Sequence, residues 1–145
     1  MSKIKKAFVD YHLYIAWVIA LMATLGSLYF SQILKLPPCV LCWYQRICMY
    51  PLVAILAVGI IRKDTKVPLY ALPLTLVGLA VSFYHVLLYY HIIPESIAPC
   101  MLGVSCTTKF FEWFGFVTIP FLSFVGFILL NILLIISLRL KAKSI

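Results

Sequence analysis

Acidic residues are almost missing from this chain. Asp10, Asp64, Glu95 and Glu112 are the only four in 145 residues. Charged residues of both signs reach 11%, less than half the share of an ordinary soluble domain. The six glycines form no G-x-G-x-x-G run, so no dinucleotide-binding fingerprint is present. Low-complexity stretches and internal repeats are also absent. The composition is instead 65% hydrophobic, with a mean hydropathy of +1.11. That balance argues against a soluble enzyme, a disordered tail and a disulfide-stapled secreted mini-protein. The net charge of +8 is not a nucleic-acid signal. Its basic residues sit between long apolar runs, where such charges set membrane orientation.

Four apolar runs are long enough to cross about 30 Å of hydrocarbon as helices. They extend from Leu13 to Leu34, Trp43 to Ile61, Val67 to His91 and Phe116 to Leu138. The expected fold is all-α: one domain over residues 1–145, a polytopic four-helix transmembrane bundle. Pro68 and Pro120 fall near helix starts, where proline costs little. Pro51 and Pro73 fall inside runs, and a kink or loosened turn is expected at each. Lys3, Lys5 and Lys6 before the first run mimic a signal peptide. The run is too long for a signal core and no small-x-small cleavage site follows, so it reads as an uncleaved span.

Nine basic residues fall on one side of these spans: Lys3, Lys5 and Lys6, then Arg62, Lys63 and Lys66, then Arg139, Lys141 and Lys143. The other two connections hold Lys35 and Lys109. The expectation is that both termini and the second connection are cytoplasmic, with some attraction to anionic membrane lipid. The first and third connections then face outward, as for a multi-pass protein of the plasma membrane. The stretch from Thr107 to Phe114 reads as a short interfacial helix or turn behind a threonine cap. Trp43, Tyr44, Tyr89, Tyr90 and Trp113 read mostly as aromatic anchors.

Four of the five cysteines fall in the two outward connections. Cys39 and Cys42 form C-x-x-C, and Cys100 and Cys106 form C-x5-C. Disulfides persist on that face of a membrane, so two local disulfides are expected. One reading is two structural staples. Against it, a C-x-x-C loop is too short to restrict the unfolded chain much, and such pairs are often redox-active. A four-thiolate zinc site is a weaker alternative, because zinc ribbons pair one C-x2-C with another. Trp43 follows Cys42, so this is not a haem-attachment motif.

Leu36-Pro37-Pro38 leads stiffly into Cys39-Val40-Leu41-Cys42. Cys42 is therefore expected near a helix N-terminus, where free N–H groups and the helix dipole favour a thiolate. Arg46 follows four residues later on the same face, flanked by Gln45 and Met49. A disulfide that oxidises a substrate must itself be reoxidised. For a pair at the membrane surface, a lipid-soluble quinone is the natural acceptor. Arg46 and Gln45 are the candidate donors to its carbonyl oxygens. Cys48 reads as a buried free thiol, His12 lies far from the cysteines, and His85 reads as a packed, hydrogen-bonded histidine.

Four spans with Pro-Cys-Val-Leu-Cys-Trp-Tyr-Gln-Arg opening the second resemble the DsbB family of membrane thiol oxidases. The short second connection and Cys-Trp-Tyr-Gln-Arg are most similar to its Gram-positive branch, the BdbC proteins. The resemblance implies a disulfide-generating enzyme. It would take electrons from a thioredoxin-like extracytoplasmic thiol oxidase and pass them to a quinone, with menaquinone favoured over ubiquinone. Cys100 would be attacked by the partner, Cys106 would attack Cys39, and Cys42 beside Arg46 would donate to the quinone. It also implies a quinone-side role for His91, at the outward end of the third span. Proteobacterial members have a longer second outward loop, and many carry an acidic residue where Gln45 stands. No metal is implied. The competing readings are a vitamin K epoxide reductase-like enzyme, whose C-x-x-C usually lies near its last helix, and a non-enzymatic tetraspan scaffold.

Overall fold

The structure is a computed structural model describing residues 3–97, 103–109 and 112–143, without the side chains of Lys5, Lys6 and Trp113. Four long helices dominate it: α1 (Lys3–Leu28), α2 (Val40–Arg62), α3 (Val67–Tyr89) and α4 (Ile119–Ala142). All four contain a span long and apolar enough to cross a membrane. α1 packs on α2 and α4, and α3 packs on the same two, closing a ring.

The core faces follow helical spacing. Val9, Leu13, Ala16 and Ala20 line α1, and Phe127, Leu130 and Leu134 line α4. On α3 the inward stripe is Ala71, Thr75, Gly78, Ser82, His85 and Tyr89, at alternating intervals of four and three. Small and polar residues thus face inward, while Val18, Ile47, Val58, Leu76, Phe83, Leu129 and Ile132 face outward. This is the arrangement of helices packed in lipid, where close approach and interhelical hydrogen bonds replace an apolar driving force. Thr75 and Asn131 supply one such bond at 3.0 Å, and Gly78 lies against the Phe127 ring.

Most helix ends differ from the sequence reading by a few residues, α1 starts at Lys3 rather than Leu13, and three further differences are physical. α2 and α3 are unbroken as helix through Pro51 and Pro73, where a kink or loosened turn was expected. A proline removes one hydrogen bond, and packing on two neighbours holds the rest of the helix. The departure from α-geometry falls instead on a π-helical segment, Tyr29–Ile33, that extends α1 without any proline. The second difference is Thr107 to Phe114. Phe110 and Phe111 lie outside the described residues. Glu112–Trp113 (β1) forms a hairpin with Val117–Thr118 (β2) rather than a helix. Phe114 and Gly115 at its tip both have positive φ, which suits a tight connection and stops a right-handed helix. Thr118, not Thr107, provides the cap: its hydroxyl accepts from the Phe121 N–H at the start of α4.

The third difference concerns His91. It sits just past α3 with φ of 57°, and its N–H and that of Ile92 donate back to Leu88 and Leu87. This is a left-handed helix terminator. The connection Lys63–Lys66 ends α2 in the same way at Lys63. Lys141 near the end of α4 donates to the Thr65 carbonyl, so the second connection and the C-terminal helix end share one end of the bundle.

Candidate active site

At the opposite end, Leu36-Pro37-Pro38 delivers Cys39 as the N-cap residue of α2, which makes Cys42 the third residue of the helix. The Cys39 and Cys42 sulfurs are 3.1 Å apart and share a hydrogen bond. Neither sulfur is in a disulfide in this structure. Cys106, by contrast, is disulfide-bonded. Cys100 lies outside the described residues. Cys48 is a buried free thiol in the inner core, as its sequence position suggested.

Cys39 and Cys106 belong to one small buried cluster with Leu41 and Leu88. His85, 1% exposed, sits between them. The two sulfurs and a ring nitrogen of His85 all lie within 4.8 Å of one another. His85 Nε2 is 3.2 Å from the Cys106 carbonyl and 3.8 Å from the Cys39 sulfur. Gln45 Nε2 is 3.1 Å from His85 Nδ1. With the amide donating to Nδ1, the ring carries its proton on Nε2 and directs it at both partners. The Cys39 thiol is held well below the usual thiol range, first by its hydrogen bond with Cys42 and then by His85, against the opposing effect of burial.

A cavity of about 210 Å³ opens beside this cluster. Its walls come from α1 (Met22, Gly26, Ser27), the π-helical segment (Phe30), α2 (Cys42, Gln45, Arg46, Met49, Tyr50) and α4 (Ile119, Ser123, Gly126, Phe127), with His85 and Cys106 behind. The lining is largely apolar. At Gly26 and Gly126 a Cβ would meet nothing within 4 Å, so both glycines widen the space. Arg46 is half-buried at its edge. The guanidinium donates to the Ser27 carbonyl at 3.1 Å and lies 5.5 Å from the centre of the Trp43 ring. Tyr50 donates to the Ser27 hydroxyl at 3.4 Å.

Of the residues singled out from sequence, Cys39, Cys42, Gln45, Arg46 and Cys106 are thus brought together. His91 is exposed and is not among the cavity residues. His85 takes the central position instead. The signal that would have found it is the spacing along α3, where His85 continues the inward stripe of Ala71, Thr75, Gly78 and Ser82.

The family model for disulfide bond formation protein DsbB matches residues 11–137. A probable disulfide formation protein C 2 of Bacillus cereus is 52% identical over 134 residues, covering 92% of this chain and 96% of the relative. Disulfide bond formation protein C of Bacillus subtilis is 51% identical over 122 residues, covering 83% and 87%. A probable disulfide formation protein of Metapseudomonas resinovorans is 45% identical over 128 residues, covering 88% and 89%. No solved structure matches the chain. The match over most of the chain and identities near one half settle the kinship: this chain belongs to the DsbB family of disulfide bond formation proteins and is a membrane disulfide oxidoreductase of its BdbC type.

Proposed function

We propose that the protein reoxidises a thioredoxin-like extracytoplasmic thiol oxidase and delivers the electrons to a membrane quinone. The observation that carries this reading is the approach of the Cys39 and Cys106 sulfurs to within 4.8 Å, beside an apolar cavity edged by Arg46. Forming an S–S bond between them requires closure of a few ångströms and no large loop movement. The shorter outward loop of this chain is therefore no obstacle to transfer.

The partner's thiolate attacks Cys100 of the outer disulfide and releases Cys106. Cys106 attacks Cys39 of an inner disulfide, and Cys42 leaves as the thiolate, at the third helical residue where N–H groups point outward. The partner's second thiolate then attacks the mixed disulfide and frees Cys100, which attacks Cys106 of the Cys39–Cys106 bond; Cys39 leaves, so the outer disulfide is restored and the inner pair is left reduced.

The cavity fits a planar head group. It is apolar, widened at Gly26 and Gly126, and supplied with donors at Arg46 and Gln45. A quinone bound there would accept two electrons and two protons from the inner pair. Arg46 holds positive charge beside Cys42, and Gln45 adds an amide donor. Kinship with the Bacillus proteins favours menaquinone over ubiquinone. His91 would act at most from the rim. Nine basic residues at the far end of the bundle support cytoplasmic termini and outward cysteines in the plasma membrane.

The test is anaerobic. Purified protein is mixed with a reduced thioredoxin-like dithiol and a soluble quinone, and quinone absorbance is followed. Reduction that disappears in Cys39→Ser and Cys100→Ser is expected. No reduction with a competent partner would leave both pairs as structural staples.

A further inference from the structure

We infer that the hydroxyls of Ser27 and Tyr50 form a second polar station in the cavity, one turn of α2 further from Cys42 than Arg46, which takes the second carbonyl oxygen of a para-quinone. This rests on the quinone reading above and adds to it a specificity-determining pair on two helices.

Cys42, Arg46 and Tyr50 follow one another at intervals of four along α2 and so share one face of it. All three line the cavity, and Ser27 of α1 lines it with them. Successive members of such a row lie about 6 Å apart along the helix axis. Arg46 and Tyr50 are thereby placed to meet the two ends of one six-membered ring. Ser27 joins them. Its carbonyl accepts from the Arg46 guanidinium at 3.1 Å, and its hydroxyl accepts from the Tyr50 phenol at 3.4 Å.

The Ser27 hydroxyl departs from the pattern of its neighbours. Thr75, Ser82 and Ser137 each donate to a carbonyl three or four residues earlier, the usual way for such a side chain to be satisfied inside an apolar helix. Ser31 does the same, and its acceptor is the Ser27 carbonyl. Ser27 makes no such bond among the described residues. It accepts from Tyr50, and its own O–H has no acceptor there. The two hydroxyls hold two protons and use one between them, so one remains for a ligand. An O–H donor beside largely apolar walls is costly until something accepts from it. No carboxylate is present among the described lining residues to do so, and a quinone carbonyl is an acceptor of the matching kind. Gly26, next to Ser27, leaves the approach open, since a Cβ there would meet nothing within 4 Å.

A purely structural pair would tie α1 to α2 and leave ligand binding unchanged. The experiment is equilibrium binding to the full-length protein in detergent, oxidised beforehand so that no electrons move. The probe is dimethylnaphthoquinone, a para-quinone whose fully substituted quinone ring cannot add a thiol. Quenching of tryptophan fluorescence reads binding, because the centre of the Trp43 ring lies 5.5 Å from the Arg46 guanidinium. Tetralone, a bicyclic ketone with one carbonyl, is measured by competition. Its carbonyl goes to the stronger, charged donor, Arg46. Ser27→Ala/Tyr50→Phe removes both hydroxyls and keeps the aromatic ring and the Ser27 carbonyl. The double variant should bind the quinone about threefold to tenfold more weakly, the range of one neutral hydrogen bond, and should bind tetralone as the parent does. Each single variant keeps one hydroxyl and should show a smaller loss of the same selective kind. If thermal unfolding shows that the double variant does not fold, the single variants decide. Quinone binding equal to the parent's, or an equal loss for quinone and tetralone, overturns the pair's role and leaves the quinone reading in place. A parent that binds no quinone overturns both.

Discussion

Arg46 reaches from the second turn of α2 to the Ser27 carbonyl of α1, 3.1 Å away, across the edge of the cavity. The charge is thereby fixed between two helices rather than extended freely toward the headgroups. Arg46→Ala should raise the Michaelis constant for quinone by about tenfold, the scale of a lost hydrogen bond to a charged group. The constant for the protein dithiol should change far less. Arg46→Lys should recover only part, because an ammonium lacks the planar fork. Steady-state kinetics with each substrate varied in turn would decide it; an unchanged quinone dependence removes Arg46 from the acceptor site.

Cys42→Ser should abolish turnover while leaving capture of the partner intact. In the proposed order the mixed disulfide with Cys100 forms before Cys42 is needed. Non-reducing electrophoresis after mixing with the partner dithiol reads this directly. Equal loss of capture in Cys42→Ser would contradict the assigned order.

Two glycines should respond oppositely. A Cβ at Gly78 overlaps the Phe127 ring, whereas at Gly126 it meets nothing within 4 Å. Gly78→Ala should destabilise the bundle by about 1–3 kcal/mol through overpacking. Gly126→Leu should fold normally, fill the cavity and lower quinone-dependent turnover severalfold. Thermal unfolding in detergent alongside quinone kinetics separates them; similar behaviour of the two variants would argue against a ligand cavity beside α4.

Thr75 and Asn131 join α3 to α4. Asn131 also donates to the carbonyls of Thr75 and Phe127, at 3.1 and 2.8 Å. A double-mutant cycle with Thr75→Val and Asn131→Leu should give a coupling of about 0.5–2 kcal/mol, the range of interhelical bonds in membranes. Thr75 keeps its bond to the Leu72 carbonyl when Asn131 is lost, which holds the value toward the lower end.

Glu112 accepts from Lys109 and Tyr89, both at 3.1 Å, and links the β1–β2 hairpin to the end of α3. The hydrogen bond from Lys109, then that from Tyr89, holds its carboxyl below the usual range. A depressed carboxyl contributes order above its unfolded value and loses it as pH falls through the folded one. Hairpin amides should therefore exchange faster in acid, after correction for intrinsic rates. Glu112→Gln should remove that pH dependence; retention of it in the variant would assign the effect elsewhere.

The span count was legible because bilayer thickness imposes a length on any apolar run. The sequence reading placed α3's start at Val67, where the structure also has it, and missed the start of α4 by three residues. It marked Pro51 and Pro73 for a kink or loosened turn; α2 and α3 run through both as unbroken helix, and a π-helical turn that no proline signals falls at Tyr29–Ile33. It also read the 107–114 stretch as helix or turn, since composition alone does not register the left-handed pair Phe114–Gly115.

By itself, then, the sequence determined the spans, the sidedness of charge, and the Cys39, Cys42 and Arg46 motif at a helix start. All of these rest on local spacing along one element. Only the tertiary structure decided which histidine meets the sulfurs. His85 and His91 are six residues apart and alike in type. One continues the inward stripe of α3 against Cys39, Cys106 and Gln45, while the other terminates the helix in a left-handed turn and faces out. That choice depends on where α3 ends and what α2 and the outer loop bring to it, which are contacts between residues distant in the chain.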